Sequence, residues 1–193
     1  KLAIGIGTDK AVSPSNTYGA SKLLMERLFL AANFYKGDHK TKFICVRYGN
    51  VLGSRGSILP IFVEKIISKR SIPITDPTMT RFNITINEAV NLVLRAAKHG
   101  VGGEIFVPKI PSFKVTDVAK VVSPGVPTQI IGIRPGEKLH EVMITEDDAL
   151  HTLEFEGFYA ILSPTLGFHA EYPGDGKKVP SNFRFSSDNN QLW

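Results

Sequence analysis

Lys1-Leu-Ala-Ile-Gly-Ile-Gly7 is a short apolar run closed by glycine, and it predicts a buried strand ending at a loop. Polar residues follow. Asn16 or Thr17 is placed to cap a helix from Tyr18 to about Tyr35, in which Leu24, Leu28, Ala31 and Tyr35 share one face. Phe43-Ile-Cys-Val-Arg-Tyr48 is apolar and β-branched, a second strand. Strand, long helix, strand is the βαβ pattern of a parallel sheet.

Further on, Ile58, Phe62 and Ile66 have helical spacing, predicting a helix over 58–68. Ile72-Pro-Ile-Thr75 is extended, and its proline confines it to a sheet edge. A second amphipathic helix is expected over 87–99, capped by Asn87 and closed by Gly100. A strand follows over 104–107, a helix over 116–122 with a threonine cap, and a strand over 128–133. A short helix is expected near Leu139 to Val142, and Thr145 caps one more turn. After Pro164 the chain is rich in Gly, Pro and Ser and is expected to be loosely structured. There are no internal repeats.

The 193 residues hold 42% hydrophobic and 21% charged positions, an ordinary globular composition long enough to bury one core and a small second lobe. No stretch reaches the ~18–20 uncharged apolar residues of a membrane-spanning helix. The single cysteine, Cys45, excludes an internal disulfide and a Cys-based zinc module, and no metal site is expected. The net charge of +5 is spread over small clusters, with no run of five basic residues and no interleaved aromatics. So modest a surplus suits a polyanionic small ligand as well as a polymer, and without such a run or stripe nucleic-acid binding is not expected.

Three groupings are candidates for chemistry. Tyr18 and Lys22 lie at i and i+4 on one helix face, where an ammonium near a phenol favours the phenolate. Alternatively they are solvated residues at a helix start. Thr8-Asp9-Lys10 stands where the first strand ends, the place where parallel sheets bind ligands. It joins a carboxyl to an amine, or is simply a loop ion pair. The third grouping holds arginines and amides on loops: Tyr48-Gly-Asn-Val51, Ser54-Arg55-Gly-Ser57, Thr80-Arg81-Phe82 and Arg134-Pro-Gly-Glu-Lys-Leu-His-Glu141. Arginine forks grip phosphates bidentately if they converge in space; singly, each is a surface ion pair. Gly5-Ile-Gly7 starts a dinucleotide-binding glycine pattern, but Lys10 stands at its third glycine, so the fingerprint is absent.

These motifs, with Pro73-Ile-Thr-Asp76, Met79-Thr-Arg-Phe82 and Ile131-Gly-Ile-Arg-Pro-Gly-Glu-Lys-Leu-His-Glu-Val142, stand in one order. From Lys1 to about Asn190 the chain resembles the extended short-chain dehydrogenase/reductases that act as inverting UDP-N-acetylglucosamine 4,6-dehydratases. It is most similar to those opening pseudaminic acid synthesis for flagellin glycosylation. The resemblance implies an α/β fold: the C-terminal part of a Rossmann-type parallel sheet with a smaller α/β substrate-binding lobe. It implies that a glycine-rich NADP-binding half of roughly a hundred residues precedes this chain, which then reads as a fragment. Residues 1–53 and 84–110 would be the remainder of that domain; 54–83 and 111–193 would form the nucleotide-sugar lobe.

The resemblance also assigns roles. Thr8, Asp9, Lys10, Tyr18 and Lys22 would be catalytic: Tyr18 and Lys22 bonded to the nicotinamide ribose of NADP, Lys10 the base at sugar C5, Asp9 the acid for the C6 hydroxyl. Tyr48 and Val51 would lie beside the cofactor. Asn50 and Arg55, with Lys10, would hold the nucleotide sugar; Thr75 would sit near the uridine; Arg81 and Arg134 would grip the diphosphate. A base lysine must be partly neutral, and Asp9 must carry a proton, which needs an apolar setting or competing negative charge. A cytoplasmic homo-oligomer is implied, inactive as an isolated fragment. Gly7 stands where relatives commonly have serine, which is expected to loosen the strand end. Another nucleotide-sugar epimerase or dehydratase, or a non-catalytic nucleotide-sugar-binding module, stays open as an alternative.

Overall fold

The computed structural model describes residues 1–163 and 172–193, and the expectation for residues 164–171 lies outside them. β1 (Leu2–Ile6) pairs in parallel with β2 (Lys42–Val46), and β2 with β6 (Glu104–Pro108). β1 lies at the edge of this sheet. The linking helix α1 (Thr17–Tyr35) starts as expected, with the Asn16 side chain accepting the Gly19 amide. Its core contacts are Met25, Phe29 and Leu30. The face carrying Leu24, Leu28 and Tyr35 is turned outward, with Tyr35 87% exposed.

The other side of the sheet was not anticipated. β10 (Thr152–Phe155) and β11 (Phe158–Leu162) form a hairpin whose second strand pairs antiparallel with β6. The sheet order is therefore β1-β2-β6-β11-β10, then β12 (Lys177–Lys178). Residues 152–162 and 177–178 belong to the main sheet, not to the lobe in which the sequence division placed them. Gly157, in the left-handed region at φ +80°, makes the hairpin turn. Phe106, Phe155 and Phe158 stack across the hairpin and β6.

The smaller lobe is built from short pieces. α2 (Ile58–Ile67) and α4 (Val115–Val122) pack Phe62, Val115 and Ala119 onto β4 (Ile72–Ile74). Among the described residues β4 pairs only with β8 (Thr128–Ile130), the edge position its proline demands. β8 is shorter than expected, and Gly132 turns the chain at φ +81°. β3 (Asn50–Val51), β5 (Thr80–Ile84) and β7 (Ser112–Lys114) form a third sheet between the lobes.

Three local expectations change. Helix α3 (Ile86–His99) is capped by Thr85, not Asn87, because Thr85 and Glu88 form a reciprocal capping box. α4 has Lys114 at its cap position, with Thr116 inside the helix. No helix forms near Leu139. The Lys138 and Leu139 carbonyls are turned to the Arg81 guanidinium, so they cannot serve a helical ladder, and the chain continues into β9 (Val142–Ile144). Thr145 does cap α5 (Glu146–Ala149). Among the described residues no helix is long and apolar enough to cross a membrane.

Candidate active site

The site begins where β1 ends. The Gly7 amide donates to the Val46 carbonyl at 2.7 Å, and the Asp9 amide to the Tyr48 carbonyl at 3.1 Å. The strand end is thus fastened, not loosened. A Cβ on Gly7 would stand 2.6 Å from both the Val46 carbonyl oxygen and Glu26 Oε1, so the glycine permits this close approach. Thr8 caps the tight 3-10 turn Asp9–Ala11. That turn fixes adjacent side chains in opposite settings: Asp9 is fully buried, while Lys10 is half-buried and reaches a cavity.

Lys10 Nζ is the centre of the arrangement. It donates to Asp9 Oδ1 at 3.0 Å and to Asn50 Oδ1 at 2.9 Å, and lies 4.0 Å from Glu141 Oε1. Thr8 Oγ1 also donates to Asp9 Oδ1, at 2.9 Å. Two cavities meet here. One of about 310 Å³ is bounded by Lys10, Asn50, Thr75, Arg81, Arg134 and Glu141, among others. The second, about 390 Å³, is bounded by Thr8, Lys10, Tyr18, Lys22, Asn50 and Arg55, with Tyr48 and Val51 on its wall. Lys10, Asn50, Gly56 and Ser57 line both.

The residues given roles by the resemblance stand around the two cavities that meet at Lys10, with two departures in orientation. Asp9 lines neither cavity; it lies beneath Lys10. Arg81 faces the first cavity, but its guanidinium donates to the Thr80, Leu139 and Lys138 carbonyls at 2.6, 3.1 and 2.9 Å. Those bonds use three of its five N–H groups and tie Arg81 to the 138–141 segment, while the side chain still lines the first cavity. Arg134 is exposed, near Glu137 at 3.8 Å, and Arg55 borders the second cavity. The Gly136 carbonyl accepts from Ser15 Oγ at 2.7 Å and Asn16 Nδ2 at 2.9 Å, which ties the Arg134 loop to the start of α1.

Tyr18 and Lys22 share the face their spacing predicts. Lys22 Nζ sits 6.0 Å from the Tyr18 ring centroid and donates to the Ile6 carbonyl at 3.1 Å. Tyr48 is pushed up from the usual phenol range by burial and by Tyr18. The Tyr18 hydroxyl and Lys22 ammonium are hydrogen-bond donors bordering the second cavity, and Val51 is an apolar part of its wall. Burial pushes the Cys45 thiol up to about 12, so it is inert.

Two participants lie inside the 134–141 motif but were given no role of their own from sequence. Glu141 is buried and lines the first cavity; burial and the neighbouring Asp9 push its carboxyl above the usual range. Lys138 donates to the Val12 carbonyl, and burial lowers it from the ordinary ammonium range. The charge alternation in Glu137-Lys-Leu-His-Glu141 is the only trace of either in the sequence.

Three parallel strands extended by an antiparallel hairpin, with a smaller lobe beside them, define an α/β fold of Rossmann type. A family model described as Polysaccharide biosynthesis protein matches residues 1–163, and the chain belongs to that family. It is 49% identical, over its whole length, to 60% of a Campylobacter jejuni protein named UDP-N-acetylglucosamine 4,6-dehydratase (inverting). It is 39% identical, over 81% of its length, to 47% of a Rickettsia canadensis protein named UDP-glucose 4-epimerase. The chain thus spans three-fifths or less of these relatives. Among solved structures, Pen from Bacillus thuringiensis superposes with a TM-score of 0.87 at 35% identity, over all of this chain and 59% of that one. The dTDP-glucose 4,6-dehydratase DesIV of Streptomyces venezuelae, solved with NAD and TYD bound, shares the fold at a TM-score of 0.63 and 17% identity, over 72% of this chain and 49% of that one.

Proposed function

We propose that the protein of which this chain is part carries out the NADP-dependent inverting 4,6-dehydration of UDP-N-acetylglucosamine. C5 is epimerised, and the product is a UDP-4-keto-6-deoxy-L-arabino-hexosamine. In this reading it serves an early step of pseudaminic acid or other surface-glycan synthesis in a bacterial cytoplasm. The observation that carries the proposal is the position of Lys10 Nζ, shared by both cavities and held by Asp9 and Asn50.

Tyr18, Lys22, Tyr48 and Val51 bind and orient the nicotinamide ribose in the second cavity. A nicotinamide bound there would supply the redox chemistry, with hydride leaving sugar C4 and returning at C6. With C4 oxidised, the C5 proton is acidified, and Lys10 takes it. The C6 hydroxyl departs as water on a proton supplied by the Asp9–Lys10 pair, in which Asp9 lies beneath the lysine that reaches the cavities. Asn50 keeps the Lys10 amine aimed at the ring by accepting one of its hydrogens. Arg55 and Arg134 meet the nucleotide sugar from the loops, and Thr75 lies on the uridine side of the first cavity. Arg81 positions the 138–141 segment. The outward face of Leu24, Leu28 and Tyr35 serves homo-oligomer contact, which size measurement on the full-length protein tests.

Incubating the full-length protein with NADP and UDP-N-acetylglucosamine in D2O tests the proposal. A 4-keto-6-deoxy product with deuterium and inverted configuration at C5 is expected. Retained C5 configuration overturns the inverting assignment. Simple 4-epimerisation is the second reading, favoured by the Rickettsia relative, and would appear as a C4 epimer that keeps its C6 oxygen.

A further inference from the structure

Thr80 carries a buried hydroxyl that joins three separate stretches of chain. Its Oγ1 lies 2.8 Å from His140 Nδ1 and 2.7 Å from Ser187 Oγ. Thr80 is 2% exposed and Ser187 0%. Ser187 Oγ in turn accepts the Glu141 amide at 2.9 Å, and the Ser187 amide donates to the Glu141 carbonyl at 2.8 Å. The Thr80 amide donates to the Leu139 carbonyl at 3.2 Å. From β5, Thr80 thus holds one end of the 139–141 segment directly and the other through Ser187.

Counting hydrogens fixes the direction of the chain. Each hydroxyl has one hydrogen to give. With His140 Nδ1 bare, Ser187 donates to Thr80 and Thr80 donates to His140, so both hydrogens are used. With a hydrogen on Nδ1, His140 donates to Thr80 and Thr80 to Ser187, and the Ser187 hydrogen has no acceptor among the described residues. A buried donor without a partner is costly. The chain therefore runs from Ser187 through Thr80 to His140, with the imidazole hydrogen on Nε2.

The segment held in this way is one wall of a cavity. Arg134, Gly136, Glu137, Lys138 and Glu141 line the first cavity, and none of residues 134–141 lines the second. Glu141 brings this wall to within 4.0 Å of Lys10 Nζ. Thr80, His140 and Ser187 line neither cavity, so they act on it only through the segment.

We propose that Thr80 is a positioning residue of the first cavity: its hydroxyl, between His140 and Ser187, sets the wall that the nucleotide sugar meets. For the identity of that ligand this rests on the dehydratase reading above. Loss of the hydroxyl lets the 139–141 wall shift while the second cavity keeps its lining, so nucleotide binding weakens and cofactor binding does not.

The test compares two variants of the full-length protein. Thr80→Val keeps the shape of the side chain and removes the hydroxyl; Thr80→Ser keeps the hydroxyl. In calorimetric titrations, Thr80→Val is expected to bind UDP about five- to thirtyfold more weakly, and Thr80→Ser within about twofold of wild type. NADP affinity is expected within about twofold of wild type in both. UDP affinity unchanged in Thr80→Val, an equal loss for UDP and NADP, or no rescue by Thr80→Ser overturns the proposal. Nitrogen-15 shifts of His140 in the ligand-free wild type at neutral pH read the chain itself: a hydrogen on Nε2 is expected, and one on Nδ1 overturns it. Should Thr80→Val fail to fold by circular dichroism, Ser187→Ala carries the comparison, with the same split between UDP and NADP expected and an equal loss counting against it. If the split appears but wild type does not dehydrate UDP-N-acetylglucosamine, the dehydratase reading fails and the positioning role stands. If wild type dehydrates it and the split is missing, the positioning role fails and the dehydratase reading stands.

Discussion

Glu26, two turns along α1 from Tyr18, receives both sides of the Arg47 guanidinium: Nε to Oε1 at 3.2 Å and Nη2 to Oε2 at 2.8 Å. Neither side chain is more than 3% exposed. The remaining nitrogen of Arg47 donates to the Met143 carbonyl at 2.6 Å and Asp148 Oδ2 at 3.2 Å. Against the desolvation of its burial, Glu26 and Asp148 hold Arg47 firmly charged. One side chain thus locks the helix carrying Tyr18 and Lys22 to β2 and to the segment beyond Glu141. Removing one partner of such a pair strands a buried charge. Arg47→Met is expected to cost about 3–5 kcal/mol in urea unfolding, and Glu26→Leu with Arg47→Met together to recover most of it. A single-variant loss below about 1 kcal/mol contradicts this role.

Gly19 sets how closely α1 approaches the catalytic turn. A Cβ there would collide with the Lys10 carbonyl and stand 3.0 Å from Pro14. Gly19→Ala is expected to destabilise by about 1–3 kcal/mol through overpacking, and to lower kcat more than the stability loss explains. Thermal unfolding beside steady-state kinetics checks both; a variant as active and stable as wild type would show that the turn yields freely.

Asn50 holds Lys10 from β3. Asn50→Ala is expected to reduce kcat/KM by roughly ten- to a hundredfold, since a misaimed base loses orientation and not chemistry. Calorimetric titration with UDP separates this from lost substrate affinity. A change below about twofold in kcat/KM contradicts the placement.

Burial raises Glu104 above the ordinary carboxyl range, although the Val101 and Gly102 amides bond to it at 2.7 and 2.8 Å. A raised folded-state value means the folded protein binds the proton more tightly than the unfolded chain. The associated stability is present below the ordinary value of 4.5 and fades as pH rises through the folded one. The stability of wild type relative to Glu104→Gln should therefore fall on going from pH 4 to pH 7. Chemical unfolding at a series of pH values measures it; a difference independent of pH contradicts the shift.

The strand–helix–strand core was legible because its period and caps agree: Asn16 caps α1, and β1 and β2 pair in parallel. Thr8 and Lys10, Tyr18 and Lys22, and Asn50 stood in three separate motifs, joined into one site only by the resemblance they carry. What escaped depends on contacts distant in sequence. Nothing local says that Arg81 will claim the Lys138 and Leu139 carbonyls and unmake a helix there. The 152–162 hairpin carries a Glu-Gly turn signal, but its place in the main sheet is set by pairing with β6, some fifty residues earlier. The outward face of α1 shows the converse: Leu24 and Leu28 have core-like spacing, yet the core takes Met25, Phe29 and Leu30. Glu141 looked like one acid in a charged loop until Asp9 and Lys10 were brought beside it.

The account turns on Lys10 as the base at C5. The most direct measurement is solvent deuterium incorporation at C5 by the full-length Lys10→Met variant, followed by mass spectrometry, with UDP binding verified by calorimetry. Incorporation should fall by about 10²–10⁴-fold while UDP still binds. Incorporation at the wild-type rate would show that another group removes the proton.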